Sequence, residues 1–477
     1  MSKPILKVIS QGCAANFGEG EKIARLLQNK YDVMFGLDGV LPDAYILNVC
    51  TVKGNACAIK LLRQARDAAP EAAIYVTGCA PKDLREEAAK IDTNIIFTSL
   101  TELSKGTTQL AAEPAIQFNA EPAITSTVLR DATKSSVLRE APLVGIVNIE
   151  EGCLDACAYC STRLVKGRLR SFSAGSIVEQ VRQLVQDGCH EIQLTGQDCG
   201  CYGFDFENIT DSANVSGKAP RNLAELVQKI LVDVPGDYRM RLGMGNPRHM
   251  MQYSEALMEC FQDDRVYKFI HLPVQSGSER VLQAMNRRHS VQDYIKLAAE
   301  FNKRFPLFTL STDLIVGFPG ETEQDFADTL KVLRETRPTV CNITRFVSRP
   351  GTPASRLTDV VPDEIKHKRS AELAAAFQQI AAENNSRWIG QTEQVTIEKQ
   401  GYRKGTLIAR NDAYRPVAIA VPDTSVSAVL NNESGAPSST ILNGDAEASA
   451  ALYRPGERLR VKITAAEPFA LIGQPID

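Results

Sequence analysis

The central part of the chain repeats a short apolar run followed by an amphipathic helical segment. The runs, between about residues 143 and 360, are VGIVNI, EIQLTG, RMRLGM, FIHLPV, LSTDLIVGF and TVCNITRF. Strands that alternate with helices form parallel sheets, because each helix carries the chain back to the same edge. The pattern therefore predicts an α/β fold with an open (β/α)6 partial barrel at its centre. Its active site should lie at the carboxyl ends of the strands, as in full barrels.

Three cysteines follow the first of these runs in the stretch EGCLDACAYC, at Cys153, Cys157 and Cys160. A structural zinc site takes four ligands, usually as two C-x2-C pairs, and no partner pair follows at that spacing. A [4Fe–4S] cluster normally takes four cysteines, so three would leave one iron open to another ligand. The aromatic Tyr159 before the last cysteine adds to this signal. An odd zinc site or a loop of unrelated cysteines is the less favoured alternative.

Three further cysteines each close an apolar run near the start of the chain. They are Cys13 in QGCAAN, Cys50 in LNVCTVKG and Cys79 in YVTGCAP. The runs ILKVIS, AYILNV and AIYVTG alternate with helical patterns, which predicts a small N-terminal parallel α/β domain. Loops at the carboxyl ends of parallel strands face one edge, so the three thiols would converge on a second cluster. Buried cysteines that follow strands by coincidence are the alternative.

Taken together, the two sets of cysteines resemble those of the radical S-adenosylmethionine (SAM) methylthiotransferases. Family-like motifs follow in family order: GRLRSF, EIQLTGQD, HLPVQSGSERVLQAMNRRHS, TDLIVGFPGETEQDF and SRPGTPAS. Enzymes of this family replace a C–H bond with C–S–CH3, using one SAM for the methyl group and a second for a radical. The resemblance implies two [4Fe–4S] clusters and SAM as cofactors. Cys153, Cys157 and Cys160 would hold the SAM-binding cluster, and Cys13, Cys50 and Cys79 an auxiliary, sulfur-carrying one.

Several residues at predicted strand ends are candidates for binding SAM. Arg241 is a possible partner for the SAM carboxylate, and Gly317 would let the backbone approach the adenine closely. The full set of candidates is Tyr159, Gln197, Asp198, Arg241, Gln275 and Gly317. A polar residue at a strand end is a structural cap about as often, so both interpretations stay open. We assign no catalytic residue beyond the cluster ligands, because C–H activation by a radical needs no acid–base pair.

Short β-like runs with glycine turns close the chain: EQVTIEKQ, GTLIARN, PVAIAV and ERLRVKITAAEPFALIG. They predict a small β-barrel, which resembles the RNA-binding TRAM domain. From residue 390 onward, nine Lys and Arg face ten Asp and Glu, so the module is not basic. RNA binding would rest on local groups, and a purely structural barrel is the alternative. The candidate RNA-binding residues along the whole chain are Arg163, Lys166, Arg168, Arg170, Arg403 and Lys404.

These patterns divide the chain into three predicted domains. A methylthiotransferase-type N-terminal domain with the auxiliary cluster spans 1–125, a radical SAM core spans 140–370, and a TRAM-like domain spans 388–477. The net charge is −3 over 477 residues, so a nucleic-acid surface must be a local patch. The sequence lacks the ~18 apolar residues of a membrane span and the h-region of a signal peptide. We therefore expect a cytoplasmic monomer that does not bind membranes.

The resemblance also implies the substrate and partners. CSTRLVKGRLRS and TGQDCGCYGFD are most similar to the archaeal and eukaryotic branch, which acts on N6-threonylcarbamoyladenosine at position 37 of tRNA. The anticodon loop of tRNA, an electron donor and a sulfur donor would then be partners. Within the family, the alternatives are isopentenyladenosine-37 and a ribosomal-protein aspartate. An alternative from another class is a non-catalytic iron–sulfur RNA-binding protein that senses redox state.

Overall fold

A computed structural model describes residues 3–50, 55–105, 138–206, 220–401, 405–420 and 453–476. The predicted domain boundary at residue 125 lies outside these ranges. Within them, no helix combines the length and the apolar character needed to cross a membrane. The described chain forms three successive bodies, an N-terminal α/β sheet, a central half-open barrel and a C-terminal closed barrel.

The N-terminal body is a parallel five-stranded sheet with strand order β2-β1-β3-β4-β5. The three predicted strands form its centre, and two short edge strands, β2 and β5, were not predicted. Helices pack on the sheet through apolar stripes such as Ala58, Leu61, Leu62 and Ala65. The elements are β1 Ile5–Ser10, α1 Ala14–Leu27, β2 Asp32–Phe35, β3 Ala44–Cys50, α2 Ala56–Ala68, β4 Ala73–Cys79, α3 Lys82–Ala89, β5 Ile96–Phe97 and α4 Leu100–Lys105.

The six predicted central strands all form, in two parallel three-stranded sheets of order β10-β9-β6 and β11-β12-β13. The amide of Tyr267 donates to the carbonyl of Met240 and links the two sheets, so the predicted (β/α)6 partial barrel is confirmed. The strands are β6 Val144–Asn148, β9 Glu191–Thr195, β10 Arg239–Leu242, β11 Phe269–His271, β12 Thr309–Val316 and β13 Val340–Arg345. A small ribbon, β7 Glu150–Glu151 with β8 Arg170–Ser171, follows β6.

Amphipathic helices cover the outside of this barrel and bury one continuous apolar core against the strands. Two of them begin with reciprocal capping boxes, Ser290 with Asp293 and Thr322 with Asp325, which satisfy otherwise free backbone donors. The helices are α5 Thr162–Lys166, α6 Ala174–Gln186, α7 Leu223–Asp233, α8 Pro247–Met250, α9 Ser254–Cys260, α10 Glu279–Ala284, α11 Val291–Arg304, α12 Glu323–Thr336 and α13 Asp363–Ser386.

Neighbouring helices cover both free edges of the half-open barrel. On one side, α1 of the N-terminal body lies against β6, where a Cβ on Gly18 would come within 2.8 Å of Ile146 Cγ2. A larger residue at position 18 would therefore push the two bodies apart. On the other side, the long helix α13 packs against β13. The N-terminal body is thus part of the wall of the central barrel.

The C-terminal body is a closed barrel of order β14-β15-β16-β18-β17, as predicted. Its last predicted run divides into two strands at a turn in which the Glu467 amide donates to the Ala470 carbonyl at 2.8 Å. The strands are β14 Thr392–Gln400, β15 Thr406–Asn411, β16 Pro416–Ala420, β17 Arg458–Ala466 and β18 Leu471–Pro475.

This C-terminal barrel covers the amino ends of the central strands. The Lys268 amide donates to the Asp412 carbonyl at 2.7 Å, and the Thr309 hydroxyl donates to the Ala413 carbonyl at 2.6 Å. The Tyr414 hydroxyl donates to Glu191, the first residue of β9, at 2.9 Å. The β15–β16 turn therefore closes the floor of the central barrel, at the end opposite to the loops that follow the strands.

Candidate active site

The cluster loop, residues 152–160, follows β6 and β7 at the carboxyl end of the barrel. Cys153, Cys157 and Cys160 are free and half-buried. The Cys160 amide donates to the Cys157 carbonyl at 3.1 Å, which curls the loop around its own sulfur atoms. Burial raises the pKa of both the Cys153 and the Cys157 thiol. Such thiols stay protonated in the absence of a metal and lose their protons when they ligate one.

Three neighbouring segments hold this loop in place. The buried Asp155 carboxylate accepts hydrogen bonds from Asn246 Nδ2 and Arg248 Nη1, each at 2.6 Å. The Ala158 amide donates to the Met285 carbonyl at 2.8 Å, and its own carbonyl accepts from the Ala354 amide. Because these anchors come from separate loops at the barrel rim, the three sulfurs are held by the tertiary fold.

The auxiliary thiols lie at the carboxyl ends of three adjacent strands. Cys50 and Cys79 are direct register partners at the ends of β3 and β4, and Cys13 precedes α1 after β1. A hydrogen bond with Cys50 and burial raise the pKa of Cys79. Gly12 has φ +121°, and a Cβ there would come within 2.3 Å of Cys50 Cβ. The fold therefore brings these thiols together, as the positions of their strands predicted.

The two sets of cysteines lie on the same seam between the N-terminal body and the barrel. Helix α5 begins two residues after Cys160, and its Lys166 forms a 2.5 Å ion pair with Glu19 of α1. The charge of Lys166 also acts on the Cys79 thiol. Lys22 of α1 lies 5.3 Å from the ring centre of Phe172 on the barrel side. One cation thus connects the cluster loop with the auxiliary thiols.

Replacing Lys166 by Met should destabilise the chain by about 3–5 kcal/mol, because a buried Glu19 carboxylate would lose its partner. Both side chains of this pair are under 10% exposed, at 9% and 8%. The double variant K166M/E19Q should lose less than the sum of the single changes. Urea unfolding measures the free energy of unfolding of the single and the double variants. The matched control is Lys229→Met, whose exposed pair with Asp233 should cost about 1 kcal/mol or less. Equal losses for K166M and K229M would contradict the buried pair.

The donor sets fit clusters better than single ions. Four sulfurs around one zinc lie roughly 3.8 Å apart, given Zn–S bonds of about 2.3 Å. Within the described part of the chain, the group with three ligand atoms within 4.8 Å of one another is Asp198, Cys201 and His249, so neither cysteine triad is that tight. In that group Asp198 already bonds His249 Nδ1 at 3.0 Å. Three thiols without a fourth protein ligand are the donor set of an iron–sulfur cluster with one open iron.

Polar groups without partners lie behind the cluster loop. Arg287 Nε and both ring nitrogens of His289 are shielded from solvent and have no hydrogen-bond partner among the described residues. Burial and the nearby Arg287 charge lower the pKa of His289 to about 3, so its imidazole is neutral at pH 7. Unsatisfied buried groups are uncommon in native proteins. They mark a place where a polar cofactor such as SAM fits.

Three of the predicted SAM-binding residues lie beside the cluster loop. Tyr159 is half-buried in the loop itself, and burial raises the pKa of its phenol. Gln197 Oε1 accepts from the Gly152 amide at 2.7 Å and so supports the loop. The Asp198 carboxylate is buried and accepts from the amides of Gly200 and Asn246. Their assignment to SAM stays a prediction.

The other three predicted SAM-binding residues are more widely placed. Arg241 lies over the rings of Phe269 and Tyr414, at 4.8 and 5.2 Å, towards the floor of the barrel. Gln275 has φ 76° and its amide donates to the Asp313 carbonyl. Gly317 has φ +75°, and a Cβ there would meet the Lys366 side chain at 2.3 Å. In the described chain, the group that comes close to the Gly317 backbone is therefore the aliphatic part of the Lys366 side chain.

The predicted RNA-binding cations differ in how accessible they are. Arg168 is exposed at the cluster loop, and Arg170 is exposed in a pair with Glu151. Arg163 Nη1 donates to the Leu154 carbonyl at 3.3 Å. Lys166 forms the buried ion pair with Glu19 described above. Arg403 and Lys404 lie outside the described residues.

The sequence did not single out Arg248 or Arg287, although each contacts the cluster loop. A signal was present for Arg287, because it lies within the quoted family-like motif HLPVQSGSERVLQAMNRRHS. A helical pattern around Cys57 and apolar neighbours beside Cys189, Cys260 and Cys341 predict that these four cysteines are small core residues. That is wrong for Cys57, which is exposed because the buried stripe of α2 lies on its other side.

The chain is similar to known proteins over most of its length. The model of the Radical SAM superfamily matches residues 147–333, and that of Uncharacterized protein family UPF0004 matches residues 6–98. The "Probable threonylcarbamoyladenosine tRNA methylthiotransferase" of Archaeoglobus fulgidus is 34% identical over 411 residues, which cover 85% of this chain and 91% of that protein. The chain belongs to the threonylcarbamoyladenosine tRNA methylthiotransferase family. The predicted family and its transferase activity are thereby confirmed.

Relatives of this methylthiotransferase family extend to animals. The human threonylcarbamoyladenosine tRNA methylthiotransferase is 30% identical over 411 residues, 86% of this chain and 68% of that protein. A solved structure of the radical SAM methyltransferase TsrM from Kitasatospora setae aligns with TM-score 0.49 and 11% identity, over 80% of this chain and 89% of that one. The radical SAM domain of this methylthiotransferase implies a [4Fe–4S] cluster and SAM.

Proposed function

We propose that this chain converts N6-threonylcarbamoyladenosine at position 37 of tRNA to its 2-methylthio derivative. The observation that carries the proposal is the shared seam, where the end of β4 with Cys79 meets α5, directly after the cluster loop. The relatives act, by name, on the same modified nucleoside in tRNA. One site with two sulfur-rich ligand sets suits a reaction that both activates a C–H bond and delivers sulfur.

In this proposal, Cys153, Cys157 and Cys160 hold the SAM-binding cluster, and Cys13, Cys50 and Cys79 hold the auxiliary cluster. With SAM, the first cluster supplies a one-electron reductant strong enough to generate a species that breaks a C–H bond. The family match does not by itself imply a second cluster, an electron donor or a sulfur donor. These three are part of the proposal. The chain would act as a monomer, and its cytoplasmic location stays a prediction.

The residues of this chain contribute in two ways: they hold the cluster loop in place, and they exclude water. Asn246 and Arg248 fix the loop through Asp155, so the three sulfurs keep one geometry during turnover. Helix α1 seals one edge, and Tyr414 closes the floor, so access is from the carboxyl end of the barrel. Keeping water away from the cluster loop protects reactive species from side reactions.

An anticodon-loop adenine suits a site that is reached from the carboxyl end of the barrel. Such a base is already single-stranded, so turning it into a pocket costs little pairing energy. The exposed Arg168 and Arg170 follow the cluster loop, where phosphates next to the target base would pass. Both side chains are exposed, and the ion pair of Arg170 with Glu151 lies at the surface, so both cations are accessible to a polyanion.

Replacing Gly152 by Ala should prevent the cluster loop from binding iron. Gly152 has φ +81°, and a Cβ there would lie 2.2 Å from the Arg168 carbonyl oxygen, so the loop must shift. Iron analysis after anaerobic reconstitution should show a loss of about half of the roughly eight irons of two clusters. The control is Gly175→Ala in α6, where an added Cβ meets nothing within 4 Å. Full iron content in G152A would contradict the assignment.

The proposed function is tested by mass spectrometry of tRNA nucleosides from a strain that lacks this gene. We expect loss of the 2-methylthio derivative of threonylcarbamoyladenosine and accumulation of its unmethylthiolated precursor. Complementation with the wild-type chain should restore the product. Loss of the methylthio-isopentenyl nucleoside instead, or unchanged tRNA nucleosides, would refute the proposal.

A further inference from the structure

We propose that Arg287 is the counter-ion of the cluster bound by Cys153, Cys157 and Cys160. The inference rests on the proposed function, which places a cluster on these cysteines. It assigns Arg287 a role in setting how readily that cluster is reduced. Arg287 follows α10 and reaches the loop from the fourth strand–helix unit of the barrel.

The side chain of Arg287 is aimed at the cluster ligands. Its Nη1 donates to Cys157 Sγ at 3.7 Å, and its Nη2 donates to the Pro273 carbonyl at 2.7 Å. The residue is half-buried, and its Nε is shielded from solvent without a hydrogen-bond partner in the described chain. The backbone beside it is also tied to the loop, since Asn286 Nδ2 donates to the Ala156 carbonyl at 2.7 Å.

This guanidinium has no carboxylate bound to it within the described ranges, although Asp198 acts on it electrostatically. The Asp198 carboxylate is itself engaged by His249 and by the amides of Gly200 and Asn246. A shielded charge is costly unless an anion is near. Among the described residues, the ionisable group that accepts a hydrogen bond from Arg287 is the Cys157 thiol, which becomes a thiolate when it ligates iron.

A cluster held by three thiolates supplies the missing negative charge. One-electron reduction adds a further negative charge to the cluster, so the attraction to Arg287 grows on reduction. Hydrogen bonds to cluster sulfurs and nearby charge are the established determinants of such potentials. Arg287 therefore stabilises the reduced state and raises the reduction potential of this cluster.

The test compares R287Q, R287K and the control R288Q, which removes the same charge from an exposed neighbour. Each full-length variant is reconstituted anaerobically, and the potential is followed by EPR of the signal that responds to added SAM, with dithionite as reductant. R287Q should lower the equilibrium constant for reduction about tenfold, which is about 59 mV for a one-electron couple. R287K should recover part of this shift, and R288Q should match wild type. An unchanged potential in iron-replete R287Q overturns the inference.

A stability cycle covers the case in which R287Q assembles no cluster. Urea unfolding of cluster-free and reconstituted protein gives the stability gained on cluster binding. A counter-ion predicts a smaller gain in R287Q than in wild type, whereas a purely structural brace lowers both forms equally. An equal loss in both forms overturns the inference, as does a cluster-free R287Q that is far less stable than cluster-free wild type. If wild type binds no cluster at the 153–160 loop, the proposed function itself fails.

Discussion

Replacing Cys157 by Ser should reduce the formation of 5′-deoxyadenosine from SAM to background. The loop supplies three thiols, and serine does not ionise near neutral pH, so the cluster would lose a ligand it cannot replace. The Asp155 anchor and the Ala158–Met285 backbone bond keep the remaining loop in place, so no neighbouring cysteine moves in. Chromatography of an anaerobic reaction with SAM and dithionite measures the product.

The matched control for this substitution is Cys260→Ser. Cys260 is buried between α7 and α9, where its thiol donates to the Ala256 carbonyl at 3.3 Å, and a hydroxyl can make the same bond. We expect C260S to form 5′-deoxyadenosine at the wild-type rate. Undiminished product in C157S would remove the 153–160 loop from the reaction.

Replacing Cys79 by Ala should abolish methylthiolation of tRNA while cleavage of SAM continues. In the proposed assignment, SAM cleavage depends on Cys153, Cys157 and Cys160, so 5′-deoxyadenosine should still form, within a fewfold of wild type. The methylthio nucleoside should disappear, because the auxiliary cluster would lose one of its three thiols. Analysis of both products in one anaerobic reaction with tRNA gives the ratio directly.

Cys57→Ala is the control for the auxiliary triad. Cys57 lies on α2 and is exposed, and alanine is a better helix former than cysteine. C57A should keep both products. A C79A variant that still methylthiolates tRNA would show that the β1, β3 and β4 cysteines serve another purpose.

The parallel strands and their cysteines were predictable because short apolar runs and intervening helices determine the sheet edge locally. Cys50 and Cys79 share a register position at the ends of neighbouring strands, in line with the expectation that residues after parallel strands meet at one sheet edge. The same reasoning placed the 153–160 loop after the first barrel strand. Edge strands such as β2, four residues long, carry too little periodicity to be recognised.

Residues that act across long sequence separations could not be predicted. Arg287 meets Cys157 over 130 residues, and Asn246 meets Asp155 over 91 residues. No local pattern encodes such contacts, since they depend on how separate loops fold over the barrel rim. The hydrogen bond from Tyr414 to Glu191 also joins residues far apart in the sequence. It positions the C-terminal barrel at the amino ends of the central strands.

Metal and sulfide analysis of the anaerobically purified chain tests the central assignment most directly. Two incomplete cysteine cages predict about eight irons and about eight sulfides per chain. If Cys13, Cys50 and Cys79 are all replaced, about four irons and about four sulfides should remain. The same numbers should remain if Cys153, Cys157 and Cys160 are all replaced. Zinc in place of iron would contradict the account, as would about four irons in wild type that survive loss of the 153–160 thiols.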